Sequence, residues 1–294
     1  MRIVVSLGGN ALLRRGDRPE AAVQRENADR VVTALAALAH DHELVVTHGN
    51  GPQIGLLAME SAADPTLSIP YPLDVLGAET QGMIGALLAR ALHNALPGRR
   101  VATLLTHTVV RADDPAFARP TEDVGRIGGE GVGEAPDRRR AVPSPSPQGI
   151  VEIATLHELL DGGTLLICAG GGGIPVTVDH DTGALTAVEA IVDKDLTAAL
   201  LAEELKADFL LVLTDVPCVY DGFGTTDQKP VLDTGPARLR AARLPEASMG
   251  PKAEAAARFV ERTGGLAAIG ALDAAYEIVH GRSGTLVRPD LDCG

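Results

Sequence analysis

The chain has 294 residues, 26 basic against 39 acidic, for a net charge of −13. That acidity disfavours a nucleic-acid or anionic-membrane partner, both of which need a basic face. A content of 45% hydrophobic and 22% charged residues marks a globular chain rather than a disordered one. No apolar run approaches the roughly 18 residues of a membrane span, and Met1–Leu7 ends at Gly8-Gly9, too short for the apolar core of a signal peptide. A cytoplasmic protein is expected.

In chain order, Arg2–Leu7 reads as a buried strand, Ala21–Ala39 as an amphipathic helix and Leu44–Thr47 as a short strand. Helical spacing follows at Gln53–Ser61 and Leu73–Leu96, then a strand over Val101–Val110. Arg111–Pro147 breaks the pattern with a glycine-rich run from Gly125 to Gly133, three arginines at Arg138 to Arg140, and alternating prolines from Pro143 to Pro147. It is too long for an ordinary loop and reads as a protruding subdomain or flap. Beyond it come a helix at Leu156–Leu160, a strand at Thr164–Cys168, and a hairpin joining Val176–Val178 to Ala184–Val188 through Asp181-Thr182-Gly183. A helix at Leu196–Leu205, a strand at Phe209–Leu213 and a helix at Lys252–Thr263 follow. Leu266–Ile269, Ala274–Val279 and Thr285–Val287 close the chain as strand, helix and strand. Such alternation implies an α/β fold with a mainly parallel sheet covered on both faces.

Three strand-like runs each end in a glycine turn: Gly8-Gly9-Asn10, Gly49-Asn50-Gly51-Pro52 and Gly170 to Gly173. Glycine at such a point lets backbone N–H groups converge on phosphate oxygens where a Cβ would obstruct them. Open α/β sheets bind ligands at that edge, although each turn taken alone also serves a plain strand-to-helix connection. No GxxxxGK[ST] run occurs, and Gly49, Gly51 and Gly55 exceed GxGxxG spacing by one residue, so neither a P-loop nor a dinucleotide fold is indicated. Three well-separated cysteines, Cys168, Cys218 and Cys293, give no disulfide framework and no CxxC zinc site. With no tryptophan and 2% aromatics, a platform for stacking single-stranded bases is not expected.

Only four lysines occur, and two of them, Lys194 and Lys252, stand at predicted helix starts. A cation there opposes the helix dipole by about 0.3–1 kcal/mol, which makes sense if each ammonium reaches a bound anion. Asp193 or Asp195 is suited to cap the helix; Asp195 is also placed to orient Lys194 and Lys252 or to ligate Mg²⁺. Phosphoryl transfer needs such positioning and charge neutralisation rather than a nucleophilic side chain. Asp215, at the end of another strand, suits either a nucleotide contact or a turn. His48 beside Gly49 reads as structural, and no Ser/His/Asp or Cys/His constellation stands out.

With these residues assembled, the chain resembles the carbamate kinases of the amino-acid kinase superfamily nearly end to end. The resemblance is carried by SLGGNAL (6–12), THGNGPQIG (47–55), PLDVLGAETQGMIG (72–85), CAGGGGIP (168–175), EAIVDKDL (189–196), LTDV (213–216), DQK (227–229) and SMGPK (248–252). It implies a three-layer αβα sandwich forming one domain over 1–294. About 1–165 would be the acceptor-binding lobe, containing a protruding subdomain at about 111–147, and about 166–294 the nucleotide-binding lobe. It also implies a homodimer that transfers phosphate reversibly between ATP and carbamate, with ATP/ADP and Mg²⁺ as cofactors. By position, Gly8, Gly9 and Asn10 would hold the transferring phosphate and Gly49, Asn50 and Gly51 the acceptor. Lys194 and Lys252 would neutralise the phosphoryl charge under the control of Asp195. Gly171, Gly172, Thr214, Asp215, Tyr220 and Met249 would bind the nucleotide, and Mg²⁺ would ride mainly on its phosphates, with Asp195 a candidate ligand.

One segment departs from the family. Where carbamate kinases carry a flap lysine in Pro-Thr-Lys-Pro-Ile-Gly, this chain has Pro120-Thr121-Glu122-Asp123-Val124-Gly125, and the local charge goes from about +1 to about −2. A carboxylate at about 4 Å from an anionic substrate would cost roughly 4 kcal/mol at an effective dielectric of 20. Either the flap points elsewhere, an arginine (Arg126 or Arg138 to Arg140) substitutes, or the acceptor is another small acid. A second departure is Gly222, where the family more often has asparagine. A catalytically silent nucleotide-binding regulator is the alternative from another class, and retention of Lys194, Asp195 and Lys252 argues against it.

Overall fold

A computed structural model describes residues 1–14, 16–124, 140–245 and 248–290. Its centre is an eight-stranded sheet. From edge to edge the order is Asp233–Thr234, Thr285–Val287, Leu266–Ala271, Phe209–Thr214, Arg2–Leu7, Glu43–His48, Leu165–Ile167 and Val101–Thr103. All neighbours pair in parallel except Leu266–Ala271 with Thr285–Val287, so the last two strands at that edge run opposite to the rest. The runs are apolar on both faces because both faces are covered. Ile3, Val5 and Leu7 point into a core shared with the helices Ala21–Asp41, Leu73–Ala95 and Ala275–Val279. Val4, one step out of phase, points into a core shared with the helices Ile153–Asp161, Lys194–Glu204 and Met249–Thr263. The result is the expected αβα sandwich.

The strand predicted over Val101–Val110 is two strands in different sheets. Val101–Thr103 ends the main sheet, and His107–Val110 joins a four-stranded sheet with Leu185–Ala187, Ile174–Val178 and Pro147–Ile150. The chain turns at Thr106, whose N–H donates to Gln81 Oε1 at 3.0 Å. The run VATLLTHTVV is rich enough in strand-forming residues to read as one strand, and nothing in it singles out Thr106 as that polar anchor. The predicted hairpin forms as Ile174–Val178 against Leu185–Ala187. Its turn is organised by Asp179, whose Oδ1 accepts from both Asp181 N–H and Thr182 N–H.

Within the Arg111–Pro147 segment, Glu122–Val124 pairs antiparallel with Arg140–Val142 as a hairpin separate from both large sheets. Val142 is buried with Ile54, Leu73 and Leu76, so the base of the flap is seated on the two helices beside it. The Gly125 to Gly133 run, Arg126, Arg138 and Arg139 lie outside the described residues, as does Cys293. The sequence reading placed no element between 215 and 250. That stretch holds a two-stranded ribbon, Val219–Asp221 with Lys229–Val231, and the helix Pro236–Ala241. Strands three residues long have no period to detect.

Phe259, fully buried, ties the Met249–Thr263 helix to the sheet. Phe259→Ala is expected to lower unfolding free energy by about 3–5 kcal/mol and Phe259→Leu by under about 1.5, measured by urea denaturation.

Candidate active site

Strand register decides where the turns meet. Leu7 stands opposite both His48 and Leu213, so the strands Arg2–Leu7, Glu43–His48 and Phe209–Thr214 end at about one level. Gly8 N–H then donates to Leu213 O at 3.1 Å and Gly49 N–H to Leu7 O at 3.0 Å. The Gly8 and Gly49 turns touch: a Cβ on Gly49 would lie 2.8 Å from Gly9 Cα. The Ala169–Gly173 turn closes on the same place. Gly171 has φ +66°, and a Cβ there would fall 2.2 Å from Asn50 Nδ2. Asn50, itself buried, donates from Nδ2 to Thr80 Oγ1 at 2.9 Å. Gly51 opens the following helix, with Pro52 in its first turn.

The charged residues sit directly beneath. Asp193 caps the Lys194–Glu204 helix, its Oδ1 accepting from the N–H groups of Asp195 and Leu196, both at 2.9 Å. That leaves Asp195 for the lysines. Asp195 Oδ1 accepts from Lys194 Nζ at 2.6 Å and from Ser6 Oγ at 2.7 Å, and Oδ2 accepts from Lys252 Nζ at 3.0 Å. Burial, the largest influence on the Asp195 carboxyl, pushes its pKa up, but the two ammonium groups and the Ser6 hydrogen bond outweigh it and hold the group well below the usual carboxylate range. Burial also lowers the Lys194 pKa, opposed by Asp195, and raises that of Asp193. Asp195 Oδ1 thus serves a lysine and a hydroxyl, and Oδ2 the second lysine. Ser6 is a member the sequence reading did not single out; its hydroxyl inside an apolar strand was the available signal.

A cavity of about 280 Å³ opens from this cluster toward the C-terminal half. Gly8, Gly9, Asn10, Thr214, Asp215, Cys218, Tyr220, Met249 and Lys252 line it together. Phe223 lines it too and was not singled out in the sequence. In a chain with 2% aromatics, Phe223 three residues after Tyr220 was the readable hint, and the two rings lie 6.1 Å apart. Gly171 and Gly172 do not line this cavity; they stand against Asn50 and the Val192 carbonyl. Asn10 Nδ2 donates to Asp215 Oδ2 at 2.6 Å. Asn10 and Asp215 also line a second cavity of about 290 Å³ that includes Arg14 and Arg30. Among the described residues no cluster of three or more acidic, histidine or cysteine side chains is arranged to hold a metal. Cys168 is no nucleophile, since burial, with Glu152 nearby, pushes its thiol up to about 12.

Residues 1–269 match the amino acid kinase family. The chain is 45% identical to the carbamate kinase of Rhizobium meliloti (strain 1021), covering 98% of this chain and 93% of that relative. It is 44% identical to the carbamate kinase of Haemophilus influenzae, covering 98% and 96%. Among solved structures, carbamate kinase from Giardia lamblia bound to AMP-PNP superposes with a TM-score of 0.91 at 32% identity, covering 98% of both chains.

His48 is the one histidine at this edge, and it is structural. Its Nδ1 lies 3.1 Å from Gly49 O, a group that only accepts, so the neutral ring carries its proton there. Burial chiefly, and the Lys194 ammonium in addition, lower its pKa to about 4 against an opposing Gly49 hydrogen bond. Between pH 6.5 and about 4 the unfolded ring is protonated and the folded ring is not, so stability falls as pH falls through that window. The difference is worth about 3 kcal/mol. His48→Gln should flatten urea-denaturation free energies between pH 6.5 and 4. A wild-type slope retained in the variant would place its origin elsewhere.

Proposed function

The chain belongs to the amino acid kinase family and, within it, to the carbamate kinases, and on that premise we propose that it transfers phosphate reversibly between ATP and carbamate. In the direction of ATP formation, a β-phosphate oxygen of ADP attacks the phosphorus of carbamoyl phosphate. The bond from phosphorus to the carbamate oxygen breaks, and carbamate leaves with the electron pair. No proton has to move, so no general acid or base is required.

The observation that carries this reading is the position of the two lysines on either side of Asp195. Lys252 lines the nucleotide-sized cavity, whereas the Lys194 chain passes 3.2 Å from where a Gly49 Cβ would stand. In this reading the pair spans the boundary between donor and acceptor, and Asp195 keeps the two like charges together. In this reading Gly8, Gly9 and Asn10 cradle the phosphoryl group as it crosses. Gly49, Asn50 and Gly51 hold the carbamoyl end, and Thr214, Asp215, Tyr220 and Met249 hold the nucleotide. Gly171 serves the acceptor side through Asn50, and Gly172 stands beside it against the Val192 carbonyl. Mg²⁺ would be held chiefly by the nucleotide phosphates, where it supplies charge neutralisation. The division into lobes at about residue 165, assembly as a homodimer and a cytoplasmic location belong to the same proposal and rest on the family resemblance.

Glu122-Asp123 in the flap favours a second reading, a different small acid as acceptor. ATP formation from carbamoyl phosphate and MgADP tests both. Wild-type protein should turn over, and Lys194→Ala and Asp195→Asn should each lose about 10²–10³ in kcat. Protein that binds MgADP yet makes no ATP would overturn carbamate as the acceptor, and turnover with another acid in a panel would then support the second reading.

A further inference from the structure

We infer that Gln81 and Thr106 are positioning residues for the acceptor half of the site, acting through the Ala169–Gly173 turn. The inference rests on the acceptor being held at Gly49–Gly51. Ala169 is fully buried and has φ +51°, a left-handed backbone that a residue with a Cβ adopts only when its surroundings impose it. The surroundings are hydroxyls. Ala169 N–H donates to Thr106 Oγ1 at 2.6 Å, and Ala169 O accepts from Thr47 Oγ1 at 2.8 Å. Gly172 O accepts from Thr108 Oγ1 at 2.8 Å and Thr197 Oγ1 at 3.2 Å. All four threonines are completely buried.

Thr106 is in turn gripped by Gln81. Gln81 Oε1 accepts from Thr106 N–H at 3.0 Å and Thr106 Oγ1 at 3.3 Å, while Gln81 Nε2 donates to Thr106 O at 3.2 Å. A carboxamide offers one acceptor and one donor group, and here both meet the same residue. Gln81 follows Thr80, the residue that receives Asn50 Nδ2, so adjacent positions of the Leu73–Ala95 helix brace the two sides of one contact. Thr80 holds Asn50 from beneath, and Gln81, through Thr106, presses the Gly171 backbone onto it. Neither Gln81, Thr106 nor Ala169 lines the nucleotide cavity. The brace therefore acts on one substrate and not the other.

Steady-state kinetics of ATP formation separate this from a general packing role. Thr106→Val keeps the side chain's shape and removes the oxygen that receives Ala169 N–H. It should raise KM for carbamoyl phosphate about tenfold or more while KM for ADP stays within about twofold, the loss of one buried hydrogen bond appearing in one substrate. Thr106→Ser should restore carbamoyl phosphate KM to within about threefold of wild type. Gln81→Met, one contact further from the turn, should raise the same KM by a smaller factor and serves if the valine variant does not fold. Two KM values rising together, or a lowered unfolding midpoint with unchanged kinetics, overturns the inference while leaving the function intact. Wild-type protein inactive with carbamoyl phosphate overturns the functional reading and this inference with it.

Discussion

A carboxylate buried among two ammonium groups has few stable arrangements, and Asp195 occupies one of them. Taking an ion out of water costs several kcal/mol, and a lone charge in this interior would be neutralised. Asp195 stays charged because Lys194, Lys252 and Ser6 all donate to it. Each partner comes from a different part of the fold: Ser6 from the central strand, Lys194 from the helix that Asp195 itself occupies, and Lys252 from the Met249–Thr263 helix. The ion cluster is thus a three-way joint beneath the sheet edge. Its two ammonium groups suit a site that must receive phosphate.

The acidity of the whole chain sharpens this point. With a net charge of −13, long-range attraction of an anionic substrate has to come from local features. The glycine turns supply backbone N–H groups, and the two lysines supply charge where water is largely excluded and electrostatic interactions are less screened. Asp193 adds to the arrangement indirectly. By satisfying the first N–H groups of its helix it frees the neighbouring Asp195 for the lysines, so two carboxylates two positions apart do different work.

Much of this was legible in the residues. The continuous apolar runs gave the strands, and the glycine turns after them fell at one edge because parallel strands of similar length end together. Lys194 and Lys252 stood out because lysine is scarce. What was hidden depended on tertiary contact. Asp193 and Asp195 are chemically alike at a helix start, and only the direction of each side chain separates cap from counter-ion. The family resemblance assigned Gly171 and Gly172 to the nucleotide, and no sequence pattern shows that Gly171 stands against Asn50, 121 positions earlier, and Gly172 against the Val192 carbonyl. The break at Thr106 was invisible because its cause, Gln81, lies on a helix 25 positions away.

The segment from Glu189 to Asp195 shows how closely these parts are joined. Glu189 Oε2 accepts from Leu73 N–H at the start of the long Leu73–Ala95 helix. Ile191 N–H donates to Pro143 O, on the chain returning from the flap, at 3.0 Å, and Ile191 packs against the cluster that seats Val142. Val192 O meets the Gly172 turn, Asp193 caps the helix, and Lys194 and Asp195 follow. This seven-residue segment therefore links the long helix, the flap base, the Gly172 turn and the Asp195–lysine cluster in sequence. The flap carries Glu122 and Asp123, yet its base is attached to the site through main-chain bonds that do not depend on those side chains. That separation lets flap chemistry vary while the position of Lys194 is held by the same backbone.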